Sequence, residues 1–233
     1  MTITTQTVEF ASNGGTAGGY LAVPGSGSGP GVVVVQEWWG LDPSIKIMTD
    51  RLAEAGFVAL APDLFHGELA AHDEMDKAGH LMTNLPPGRA AKDMSGAVDH
   101  LAAHAAVTSA SLGVIGFCMG GMLTFLLAAG RGDKISAAVP FYGFPGPDSE
   151  PDWSGLTAVV RGHMAENDDF FTPDAAMALE KKLVGLGKDV QLTVHPGSGH
   201  AFMNPMNPLG TQDAELAARC WAEATAFLHS QLG

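Results

Sequence analysis

Residues Ser111 to Gly121 read SLGVIGFCMGG. The first seven form a short, continuous apolar run of the kind that makes a buried strand, and Gly120 to Ala129 continues in a helical pattern. Cys118 stands at the junction, with Gly116 two residues before it and Gly120 two after. A side chain on a sharp strand-to-helix turn stands clear of the sheet, and glycines at those offsets remove the side chains that would collide with it. The helix that follows aims backbone N–H groups and its positive dipole end at the turn, favouring a thiolate and a developing oxyanion. The turn therefore reads as the seat of a cysteine nucleophile, with the Met119 N–H as an oxyanion donor. A buried, inert cysteine in a glycine-rich turn is the structural alternative, and partners further along the chain argue against it.

Working outward, the flanking segments alternate β-like and helical patterns, the rhythm of a largely parallel sheet. Upstream, Gly31 to Gln36 (GVVVVQ) is a β-branched run typical of a strand covered on both faces. Asp42 and Pro43 start a helix reaching about Ala55, and Phe57 to Ala61 follows as a strand. His66 to Pro87 is poor in long apolar residues and reads as a helical excursion over the loop face of the sheet, and Arg89 to about His104 as a helix. At the start, Thr7 to Phe10 and Gly19 to Val23, with a turn around Asn13, Gly14 and Gly15, read as an antiparallel hairpin at a sheet edge. Downstream come strands at Ile135 to Tyr142, Thr157 to His163 and Asp189 to His195, a helix at Pro173 to Leu186, and a closing amphipathic helix at Thr211 to Leu232. The expected class is α/β, organised as one domain over residues 1–233.

His200 lies beyond the last expected strand, inside Pro196-Gly197-Ser198-Gly199-His200, where a general base could reach over the sheet toward Cys118. The loop after the preceding strand carries Asp168 and Asp169, either of which could orient that imidazole; Asp168 is the choice and Asp169 the rival. The i, i+4 pair His100 and His104 lacks the glutamate and third ligand a metal centre would need, and reads as a solvated helix face. His163, His195 and Cys220 read as structural, and no metal is expected.

Twenty-five acidic residues against twelve basic ones give a formal charge of −13, which disfavours nucleic acid and anionic lipid as partners. The longest apolar stretches fall far short of a membrane span, and the opening MTITTQTVEF has no basic segment followed by an apolar one. With only two cysteines, one of them a candidate nucleophile, a reducing, cytoplasmic setting is expected.

Taken with the segments Gln36 to Leu41 (QEWWGL), Ala61 to Leu64 (APDL) and Phe141 to Gly143 (FYG), these motifs resemble the dienelactone hydrolase family across nearly the whole chain. That family is of the α/β-hydrolase fold, with cysteine in place of the usual serine. The resemblance implies hydrolysis of esters or lactones by a Cys118–His200–Asp168 triad through a thioester acyl-enzyme, without a cofactor. It further implies that Glu37 helps deprotonate Cys118 and that the Trp38 N–H is a second oxyanion donor. Members that open the chlorocatechol-pathway lactone hold its carboxylate with arginines, one of them four residues after the catalytic histidine, where this chain has Asn204. Arg89 is the candidate replacement cation, while Trp39, Tyr142 and Phe202 are candidates for lining a more apolar pocket. A broad small-ester esterase, and a ligand-binding homologue with an idle thiol, are the competing readings. The expected partner is a small ester or lactone, and the expected assembly a monomer or small homo-oligomer.

Overall fold

Alternation within Gly31–Val35 (β3) explains the layering of the computed structural model, which describes residues 2–233. Val33 and Val35 enter one core and Val32 and Val34 the other, so a strand of β-branched residues needs cover on both faces. One face is covered by α1 (Pro43–Glu54) and α6 (Ala214–Leu232). The other is covered by α2 (Met75–Thr83), α3 (Pro87–Ala102), α4 (Met119–Gly130) and α5 (Pro173–Gly185).

The remaining strands are β1 (Thr4–Ser12), β2 (Gly15–Val23), β4 (Val58–Pro62), β5 (Leu112–Phe117), β6 (Ile135–Phe141), β7 (Val159–Asn167) and β8 (Val190–Gly199). They join β3 in one sheet ordered β1-β2-β4-β3-β5-β6-β7-β8. β1 pairs antiparallel with β2, and β2 with β4, while every other neighbour is parallel. From β3 the chain crosses to β4 on one side, and β5 is laid down on the other. The carboxyl ends of β3 and β5 therefore flank a topological switch point, where open α/β sheets leave a crevice for ligands. Glu37 follows β3 and Cys118 follows β5.

Several boundaries differ from the sequence reading. The hairpin strands are longer, because their ladder closes on the two-residue turn Asn13 (φ 53°) and Gly14 (φ 76°). Only Met75–Thr83 of the excursion is helical. Helix α3 begins at Pro87, since a proline in the first turn lacks an N–H that would have been unpaired anyway. Strand β8 continues to Gly199, paired with Asn167 across a register shift, so His200 leaves its end directly. Helix α6 starts at Ala214, where Asp213 accepts from Leu216 N–H at 2.9 Å. No helix among the described residues is long and apolar enough to cross a membrane.

Candidate active site

Cys118 sits at φ 55°, ψ −119°, a backbone conformation that costs a non-glycine residue energy and persists only where its surroundings over-determine it. Glycines supply that constraint by allowing backbone to touch backbone. A β-carbon on Gly116 would collide with the Gly120 carbonyl, one on Gly120 with Val35 O, and one on Gly143 with Cys118 O. One on Gly121 would lie 2.5 Å from Phe141 O. The Cys118 N–H donates to Phe141 O at 3.1 Å, pinning the turn to the end of β6. Gly143, outside the G-x-C-x-G pattern, is thus as much a part of this turn as Gly116 and Gly120.

The two carboxylate oxygens of Asp168 have different partners. Oδ2 accepts from His200 Nδ1 at 2.7 Å, and Oδ1 accepts from Phe170 and Phe171 N–H at 2.9 and 3.0 Å. The carboxylate is fully buried, whereas Asp169 is exposed and does not meet His200. The imidazole is framed by Phe170, Phe171 and Tyr142, with ring centroids 5.0, 5.8 and 5.1 Å away. After it the chain turns at Ala201 (φ 62°), and the Thr211 hydroxyl donates to the His200 carbonyl.

Glu37 is buried beside these groups. Its carboxylate accepts from Asn204 Nδ2 at 2.7 Å and from the Tyr142 hydroxyl at 3.2 Å. Burial pushes its carboxyl above the ordinary range, while His200 and the Asn204 hydrogen bond draw it partly back. The Cys118 thiol is pushed up much further, first by burial and then by the Glu37 charge, against a lowering hydrogen bond from Met119 N–H. The helix terminus thus acts in the direction the sequence suggests, but burial and a neighbouring carboxylate outweigh it. These surroundings favour the protonated thiol. Among the described residues, no hydrogen bond joins it to His200.

Cys118, His200 and Glu37 open onto one cavity of about 230 Å³, walled mainly by Trp38, Trp39, Met82, Phe170, Phe171 and Leu209. This is small beside the pockets of about 300–1,000 Å³ that hold drug-sized ligands. Among the described residues the Trp38 N–H donates to no backbone carbonyl, while the Met119 N–H is directed at the Cys118 sulfur; both belong to cavity-lining residues and can serve an oxyanion. Of the residues assigned to the pocket from sequence, Trp39 lines it. Tyr142 and Phe202 do not: both are fully buried, Tyr142 under Glu37 and Phe202 packed against its ring. Arg89 does not reach it either, because its guanidinium donates to Leu64 O at 3.1 Å. Asn204 is buried and spent on Glu37. Among the described residues, no lysine or arginine lines the cavity.

The aromatic wall of Phe170 and Phe171, with Met82 from α2 and Leu209 from the loop after His200, escaped the sequence reading. Its only signal was apolar residues standing in loops on either side of the acid and base. His100 and His104 are half-buried rather than solvated, with His100 against Phe10 at 5.7 Å, and they gather no third ligand.

A strained turn carrying a cysteine above the switch point of this sheet, with an Asp–His pair at the ends of β7 and β8, defines the class: an α/β-hydrolase. The sequence model of the dienelactone hydrolase family matches residues 17–232, and the chain belongs to that family. It is 38% identical over 238 residues to protein usf of Aquifex pyrophilus, covering 97% of this chain and 99% of that one. It is 32% identical over 222 residues to carboxymethylenebutenolidase 1 of Cupriavidus pinatubonensis, covering 91% and 92%. Its fold superposes on the solved dienelactone hydrolase-like promiscuous phosphotriesterase P91 from metagenomic libraries, with a TM-score of 0.86 and 24% identity over 100% of both chains.

Proposed function

We propose that this hydrolase cleaves small, uncharged carboxylic esters or lactones by nucleophilic attack from Cys118. The observation that carries the reading is the convergence of Cys118, His200, Trp38 and Met119 on one apolar cavity. With the substrate carbonyl in place, the thiol proton leaves through Glu37 and His200, and sulfur bonds to the carbonyl carbon. The oxygen anion is held by Trp38 and Met119 N–H. The intermediate collapses as His200 hands the proton to the departing alkoxide, leaving a thioester on Cys118. His200 then takes a proton from water, hydroxide displaces the sulfur, and the acid product and free thiol are restored.

Glu37 suits the first step because it lines the same cavity as the thiol and burial raises its affinity for a proton. Asp168 holds the imidazole in the tautomer this route needs. The cavity wall offers apolar surface and no cation, which supports neutral substrates over a carboxylate-bearing dienelactone. Mass spectrometry after a rapid quench with an aryl ester should find the acyl mass on the peptide carrying Cys118. Turnover of that ester with no adduct, or faster turnover of the dienelactone, would overturn the nucleophile or the substrate class respectively.

The raised thiol pKa lends some weight to a second reading, a ligand-binding homologue with an idle cysteine. That reading expects no turnover of any ester and iodoacetamide labelling that a bound ester analogue only slows.

A further inference from the structure

On the face of the sheet covered by α6, three buried side chains from β7, β8 and α6 meet without a role in the proposed catalysis. His163 Nδ1 lies 3.0 Å from His195 Nε2, which in turn lies 3.4 Å from Cys220 Sγ. All three atoms fall within 4.8 Å of one another. Zinc bonds imidazole nitrogen at about 2.0 Å and thiolate sulfur at about 2.3 Å, so tetrahedral coordination sets ligand separations near 3.3 Å for N–N and 3.5 Å for N–S. The His163–His195 and His195–Cys220 separations match within a few tenths of an ångström, and the third lies within 4.8 Å. We infer that His163, His195 and Cys220 form a binding site for a borderline-soft divalent cation such as Zn²⁺.

Access and charge favour this reading. A surface groove of about 260 Å³ reaches His163 and is walled by Arg161, Thr193, Glu223 and Phe227. It brings solvent to one of the three side chains. The Glu223 carboxylate acts on both His195 and Cys220, offsetting the added charge, while the exposed Arg219 acts in the opposite sense. On binding, the Cys220 S–H bond breaks, its proton leaves to solvent, and a metal–sulfur bond takes its place; nothing is oxidised or reduced.

Placement gives the ion a purpose. His163 stacks on Phe141 with centroids 4.8 Å apart, and His195 packs edge-on to Phe202 at 5.7 Å. Asp168 and His200 leave the ends of the two strands that supply the histidines. An ion here would fasten β7, β8 and α6 one aromatic layer behind the candidate active site.

The test uses the full chain carrying Cys118→Ala, which removes the other thiol. After chelation and dialysis it is titrated with Co²⁺ and separately with Zn²⁺. The expected result is one equivalent bound, a thiolate-to-cobalt charge-transfer band, and a higher melting temperature with Zn²⁺. Adding Cys220→Ala should abolish the band and lower Zn²⁺ affinity at least tenfold. Should that double variant fail to fold, X-ray absorption on the zinc-loaded Cys118→Ala protein decides instead, one sulfur near 2.3 Å and two imidazoles near 2.0 Å being expected. Failure to bind either ion, or binding with no sulfur in the shell, would overturn the site and leave these side chains a hydrogen-bonded core cluster.

Discussion

The two cysteines of this chain are both buried and both free, yet they occupy opposite chemical situations. Cys118 stands on a strained backbone lining a cavity, with Glu37, His200 and the Met119 N–H around it. Cys220 lies within a regular helix, pushed up to about 12 chiefly by burial, with an imidazole 3.4 Å away. A cysteine and histidines do not by themselves define a reaction. What separates the two sites is backbone geometry and whether a carbonyl group can approach.

That contrast can be broken most directly at the sulfur atoms. Cys118→Ala should lower kcat on an aryl ester by about 10⁴-fold or more with little change in melting temperature. Cys220→Ala should keep most of the turnover and cost about 1 kcal/mol in denaturant unfolding. Equal losses of activity would dissolve the distinction. Next in size, Asp168→Asn should lower kcat by about 10²–10⁴-fold by disturbing the His200 tautomer, while Asp169→Asn should leave the rate unchanged. Comparable losses at both positions would show that the acid is not assigned by burial.

The strained turn predicts a stability effect. Gly120→Ala would drive a methyl group into the Val35 carbonyl and should cost about 3 kcal/mol by urea denaturation. Alanine at Gly130, whose β-carbon position is open, should instead be neutral or slightly stabilising.

The smallest effects concern protons. Because Glu37 raises the Cys118 pKa, Glu37→Gln should shift the pH midpoint of iodoacetamide labelling downward while slowing ester turnover. The stability of the native protein carries the complementary sign. A carboxyl raised by burial favours the folded state most below about pH 4.5, and that contribution is lost as pH climbs through its folded pKa. Glu37→Gln should therefore flatten the stability profile over that window, and an unchanged profile would remove Glu37 from the account.

Much of this was legible along the chain. The run GVVVV announced a strand covered on both faces because side-chain alternation leaves no polar side, and G-x-C-x-G announced the turn because only glycine permits such contact between backbones. His200 stood out by its place after the last strand. The Asp168–Asp169 choice was not legible, since neighbouring residues of the same type differ only in which one the loop turns inward. Tyr142 and Phe202 misled because aromatic residues serve a core as readily as a pocket, and burial depends on partners distant in sequence.

The sequence by itself determined the α/β order, the turn that exposes Cys118 and the family to which the chain belongs, because these rest on local steric rules and short-range patterns. Only the tertiary structure decided that Asp168 holds His200, that Asn204 and Tyr142 are spent on Glu37, that burial and Glu37 favour the protonated form of Cys118, and that His163, His195 and Cys220 meet. Each of these depends on distances and desolvation between segments that the chain brings together only by folding.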